Sequence, residues 1–174
     1  MSRIERLWAG WRSAYIEGLT GSAPPPEGPN GCVFCGILAR DGDDEQSYVV
    51  WRDPAGQAVA LLNAFPYGSG HLMVMPVRHC PSLEDLSPEE SATVWQGVTD
   101  AVRAVRAAYR PDGLNIGANL GRAAGAGIPD HFHMHVLPRW AGDTNFMTSV
   151  AETRVLPEPL SVTYSKLKAA WPVG

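Results

Sequence analysis

Three of the chain's five histidines stand at alternate positions in His131-Phe132-His133-Met134-His135-Val136-Leu137-Pro138. Successive side chains of a strand point to opposite faces, so the three imidazoles share one face, spaced about 6.6 Å apart. Phe132, Met134 and Val136 point the other way, into a core. Such a row is either reactive or metal-binding. Neutral imidazole attacks phosphorus well when one ring nitrogen is held as N–H and the other is free, which makes the central His133 the candidate nucleophile. A second cluster is Cys32-Val33-Phe34-Cys35. That spacing suits a metal or a redox pair, and a metal is favoured because no thioredoxin-like βαβ pattern surrounds it. His71 follows Gly70 at a loop edge, and an imidazole there or at His135 can donate a hydrogen bond to developing negative charge.

Elements must hold these residues in place. Residues 2–20 carry Leu7, Trp8, Trp11, Tyr15 and Ile16 near helical spacing and predict an N-terminal helical arm. A Pro/Gly-rich linker follows to residue 31. Strands are predicted at 48–51, 57–62, 71–76, 114–120 and from 131 onward. Ser87-Pro88-Glu89-Glu90 predicts a capped helix start, with Val94, Val98, Val102, Val105 and Tyr109 on one face. Arg110-Pro111-Asp112-Gly113 stops that helix. A short C-terminal helix is predicted at about 159–171. The expectation is one α+β domain over 1–174, with a largely antiparallel sheet of about five strands. Its parts are an arm and linker (1–31), a core (32–146) and a C-terminal tail and helix (147–174).

The composition fits this plan. The 174 residues are 45% apolar and 18% charged, which suits a soluble globular protein. No signal peptide or membrane span is evident, so a cytoplasmic location is expected. The net charge of −4 disfavours a nucleic-acid surface. A small anionic ligand is still compatible, because backbone amides and a few Arg make a pocket locally positive. The Gly121–Gly127 stretch, including Gly125 and Gly127, can bring such amides close to an anion, and Asn119 adds a side-chain donor. Asn63 ends the second predicted strand, where an Asn suits the start of a turn. Trp140 offers an aromatic face for stacking on a ligand or for packing a dimer interface.

The histidine pattern resembles the histidine-triad superfamily of nucleotide hydrolases and transferases. Cys32–Cys35, Asn63 through Gly70-His71, Arg78-His79, Asn119 and Pro138-Arg139-Trp140 with Gly142-Asp143 fall in that family's order. Arg6-Leu7-Trp8 and the Pro138-Arg139-Trp140 stretch look like the branch of bacterial diadenosine tetraphosphate phosphorylases. The resemblance implies a HIT-like fold, a nucleotide substrate and a nucleotidyl-histidine on His133. It implies a ribose contact from Asn63, puts the nucleotide's phosphates at the cradle of Asn119, Gly125 and Gly127, and leaves Trp140 either to stack on the base or to pack a dimer interface. It also implies a structural zinc on Cys32, Cys35, His79 and His131, the S₂N₂ set of tetrahedral sites. No organic cofactor is expected, and a homodimer is. Many members carry Gln or Ser where this chain has Gly127, so backbone groups or Arg122 must supply that contact. Phosphorolysis with inorganic phosphate is the favoured reaction. Hydrolysis of dinucleoside polyphosphates or nucleoside phosphoramidates is the alternative. A zinc-stabilised nucleotide-binding protein without turnover is the reading from another class.

Overall fold

The computed structural model describes residues 28–40, 42–143 and 158–172. The predicted helix over 2–20 and most of the linker lie outside them.

Five strands form one sheet in the order β1-β2-β3-β5-β4, with every neighbouring pair antiparallel. They are β1 (Val49–Arg52), β2 (Ala58–Leu62), β3 (Leu72–Pro76), β4 (Gly113–Ala118) and β5 (Met134–Arg139). Helices α1 (Val33–Leu38), α2 (Pro88–Tyr109) and α3 (Leu160–Ala170) complete the described α+β architecture.

β2 and β3 read Ala-Val-Ala-Leu-Leu and Leu-Met-Val-Met-Pro, apolar without alternation, and every residue in both is buried. Strands of this kind need cover on both faces. On one face Val74, Leu72, Val136 and Phe132 pack with Val94, Val98 and Val105 of α2 and Leu167 of α3. On the other, Val59, Leu61, Met73 and Met75 pack with Cys32 and Phe34 at α1. α2 sits close to the sheet at Gly97, where an added Cβ would lie 2.9 Å from Val74 Cγ1 and 3.0 Å from Trp51 Cζ3. α3 is tied on by the Trp51–Trp171 stack and by Lys168 Nζ donating to the Val50 carbonyl at 2.9 Å.

α2 begins where the sequence predicts. Ser87 Oγ accepts from the Glu90 amide at 3.1 Å, and Glu90 Oε2 accepts from the Ser87 amide at 2.8 Å, which closes a capping box. Glu90 also binds Arg78 through two nitrogens, at 2.7 and 2.8 Å. The helix start thereby fixes the segment carrying His79.

Three boundaries depart from expectation. The Cys-x-x-Cys stretch is not a plain turn: Cys32 is the N-cap of α1 and Cys35 lies within it. β4 ends at Ala118 rather than Leu120. β5 begins at Met134, so His131, Phe132 and His133 precede the ladder. The Phe132 amide donates to the Cys80 carbonyl at 2.7 Å instead of to a neighbouring strand.

Candidate active site and metal cluster

Parity across the sheet assembles the site. Met73 pairs with His135 in the β3–β5 register, so His135 lies on the α1 face, while Val136 and Phe132 serve the α2 core. His131 and His133 are buried, and His71 at the entry to β3 is only 1% exposed. His71 follows Gly70, whose φ of +80° suits glycine and whose added Cβ would meet Pro138 and Tyr109 at 3.1 Å.

Each histidine of the row has a different partner. His133 Nδ1 donates to the His131 carbonyl at 2.8 Å, because a carbonyl only accepts. Neutral His133 therefore carries its lone pair on Nε2. Burial holds its pKa below the ordinary histidine value, which keeps that lone pair available.

A relay fixes His135. The Tyr67 amide donates to His71 Nδ1 at 3.1 Å, so the proton of neutral His71 is on Nε2. His71 Nε2 lies 3.0 Å from His135 Nδ1, which must accept. The proton of neutral His135 is then on Nε2, free to be donated. Burial, with the neighbouring His133, pushes the His135 pKa down to about 4, so it is neutral near pH 7. His133 and His135 stand with ring centroids 4.9 Å apart. The sheet thus brings together His71, His133 and His135, but places His71 behind His135 rather than beside it.

His131 faces elsewhere. Its Nε2 donates to the Pro76 carbonyl at 2.9 Å, leaving the Nδ1 lone pair toward Cys32 Sγ at 3.5 Å and Cys35 Sγ at 3.6 Å. His79 Nδ1 lies 3.3 Å from Cys35 Sγ. The four ligand atoms are all within 4.8 Å of one another. Tetrahedral zinc with Zn–S near 2.3 Å and Zn–N near 2.05 Å sets S···N at about 3.6 Å, so the spacing fits. The chemistry fits as well. Burial and the adjoining Cys32 push the Cys35 thiol up to about 11, a penalty on thiolate that a bound cation reverses. Cys80 next door is a buried thiol.

The remaining predicted residues lie on the loops and strand ends, with partners of their own. Gly117 and Ala118 pair with His135 and Met134. β4 ends at Ala118, and Asn119 follows it directly, ahead of the loop carrying Gly125 and Gly127. Asn63 Oδ1 accepts from the Phe65 amide at 2.9 Å, which is the turn-forming use of an Asn. Trp140 packs edge-on against Tyr109, centroids 6.3 Å apart. Trp51 is a packing residue under α3.

Sequence reasoning did not find Phe34, whose ring contacts both His131 and His133. Its position between the two cysteines was the available signal. The Pro76 carbonyl and the Tyr67 amide, which set tautomers, are backbone groups with no residue-type signature at all.

Residues 44–142 match the HIT domain family. The AP-4-A phosphorylase of Mycobacterium tuberculosis strain H37Rv is 38% identical over 175 residues, covering 97% of this chain and 85% of that protein. A Zn-bound histidine triad family protein from Mycobacterium smegmatis superposes with a TM-score of 0.64 at 29% identity, covering 80% of this chain and 91% of the other. A hypothetical histidine triad nucleotide-binding protein from Sulfolobus tokodaii gives a TM-score of 0.65 at 26% identity, with 80% and 91% coverage.

Proposed function

The chain belongs to the HIT domain family, and from that premise we propose an enzyme that cleaves the phosphoanhydride of a dinucleoside polyphosphate through a nucleotidyl group on His133. The observation that carries this reading is the pair of opposed tautomers. His133 offers a bare Nε2, and 4.9 Å away by ring centroid His135 offers a proton on its own Nε2. A nucleophile and a donor for the leaving oxygen are what a two-step transfer needs. His71 acts through His135, fixing its tautomer.

In the first step His133 Nε2 forms a bond to the α-phosphorus, and the bond to the bridging oxygen breaks. The His135 Nε2–H hydrogen-bonds that oxygen as charge builds on it and keeps its proton, and the oxygen departs as a phosphate oxygen of ATP. In the second step an acceptor takes the nucleotidyl group and His133 is regenerated. With inorganic phosphate as acceptor, diadenosine tetraphosphate yields ATP and then ADP. With water the second product is AMP. We favour phosphate, because the 38% identical relative is named a phosphorylase. Asn119 and the loop to Gly127 are the proposed phosphate cradle, with Asn63 and Trp140 on the nucleoside side.

We assign zinc to Cys32, Cys35, His79 and His131. Four protein ligands close its coordination, so its contribution is structural: it joins α1 to the segments leaving β3 and entering β5. A homodimer through β4 also belongs to this reading. β4 is a sheet edge with Ile116 exposed, and Leu120 just beyond it is exposed too.

The deciding experiment is product identification from diadenosine tetraphosphate with and without inorganic phosphate. ADP with ATP, formed only when phosphate is present, establishes the phosphorylase. AMP with ATP, or two ADP, without phosphate establishes a hydrolase. Tight nucleotide binding with no products would support the non-catalytic reading instead.

A further inference from the structure

One buried contact of the nucleophile has no part in the chemistry above. The Phe34 ring lies 5.1 Å from the His133 ring by centroid, with the planes at 67°. The same ring lies 5.5 Å from His131, at 84°. Phe34 is buried, with Val59, Leu61, Met73 and Met75 in its cluster. It stands on the first turn of α1, with Cys32 before it and Cys35 after it.

The bond from His133 Nδ1 to the His131 carbonyl fixes where that nitrogen points. It leaves the ring free to rock about the bond, and rocking swings Nε2, the atom that must meet phosphorus in line. A second contact on the ring removes that freedom. Edge-to-face aromatic packing is directional enough to supply it. The placement of Phe34 adds a consequence. The two cysteines that bracket it belong to the same four-ligand cluster as His131, whose carbonyl receives the His133 proton. Both constraints on the nucleophile, the carbonyl and the aromatic ring, therefore descend from residues that the cluster holds.

We propose that Phe34 is a positioning residue for His133, and that its place between Cys32 and Cys35 makes the ring plane of the nucleophile depend on metal at the cluster. This rests on the nucleotidyl-transfer reading for its purpose but not for its detection.

The test uses the full chain with ring-¹⁵N-labelled histidine, followed by NMR before and after zinc is removed by a chelator. Zinc removal from the wild type should shift the His133 ring resonances. In zinc-loaded Phe34→Leu those resonances should already be displaced, and removing zinc should then move them less than in the wild type, by the part carried through the His131 carbonyl. In kinetics, Phe34→Leu should lower kcat on the order of ten- to a hundredfold with KM retained, as a misaimed reactive atom does. Phe34→Tyr, which keeps the ring, should recover most of that loss. Should Phe34→Leu lose its dispersed amide spectrum, Phe34→Met, closer to Phe in length, takes its place in the same readouts. His133 resonances that ignore Phe34→Leu, or that respond to zinc equally with and without Phe34, would overturn the proposal. So would a raised KM with unchanged kcat, which would put Phe34 on the nucleotide. A protein with no turnover of any nucleotide but with the coupled NMR response would sink the proposed function and leave the coupling standing.

Discussion

What separates three chemically identical imidazoles is the partner each Nδ1 finds. His131 Nδ1 faces two sulfurs, His133 Nδ1 donates to a carbonyl, and His135 Nδ1 accepts from His71. The row is therefore not a three-ligand metal site, because its nitrogens do not converge. The histidine spacing exposed the shared face and singled out His133 as the proposed nucleophile. The Cys-x-x-Cys pair drew His131 toward a metal. The tautomers were beyond reach, since the Pro76 carbonyl and the Tyr67 amide that set them are common to all residue types. The state of His135 has a measurable consequence. Its folded pKa of about 4 lies below the ordinary value of 6.5, so between those values the unfolded chain binds a proton that the folded chain refuses. Stability is then full above about pH 6.5 and declines as pH falls toward about 4. Thermal unfolding across that window should show Tm falling on acidification, and His135→Gln should flatten the slope. An unchanged slope in the variant would remove His135 as its source.

The elements were legible where local chemistry decides them. α2 is announced by Ser87, Pro88 and Glu90 and by its valine stripe, and both ends fall where the sequence puts them. β2 and β3 are continuous apolar runs and were equally plain. The elements misread are those whose limits are set by tertiary partners. β5 starts late because Phe132 spends its amide on Cys80. α1 has only six residues, too few to show a helical period. That His71 would stand behind His135 depends on β3 lying next to β5, and the strand order is not written in any single segment. The close approach of α2 to the sheet gives a test at this level. Gly97→Ala gains helix propensity of about 1 kcal/mol. Its Cβ, however, would press on Val74 and Trp51, an overpacking cost of typically about 1–3 kcal/mol. Urea denaturation should show a net loss of stability, and a midpoint raised by the substitution would mean that α2 stands off the sheet.

Joined together, these parts bring the Cys32, Cys35, His79 and His131 cluster, through His131, next to the proposed reactive pair His133 and His135. Among the described residues no helix is long and apolar enough to cross a membrane. The four-ligand cluster predicts about one zinc per chain by elemental analysis, bound more tightly as pH rises because two thiols must ionise. Chelation should lower Tm, and His79→Ala should lower the zinc content. Negligible metal in protein purified without chelator would remove the assignment. The central claim is covalent chemistry at His133, and rapid quenching during turnover tests it most directly. Protein mixed with diadenosine tetraphosphate in the absence of phosphate, then digested under alkaline conditions, should yield a peptide containing His133 that carries one acid-labile adenylyl group. His133→Ala should yield none and should lose at least about 10³-fold in kcat. An adduct on another residue, or phosphate-dependent turnover that persists in His133→Ala, would contradict the account.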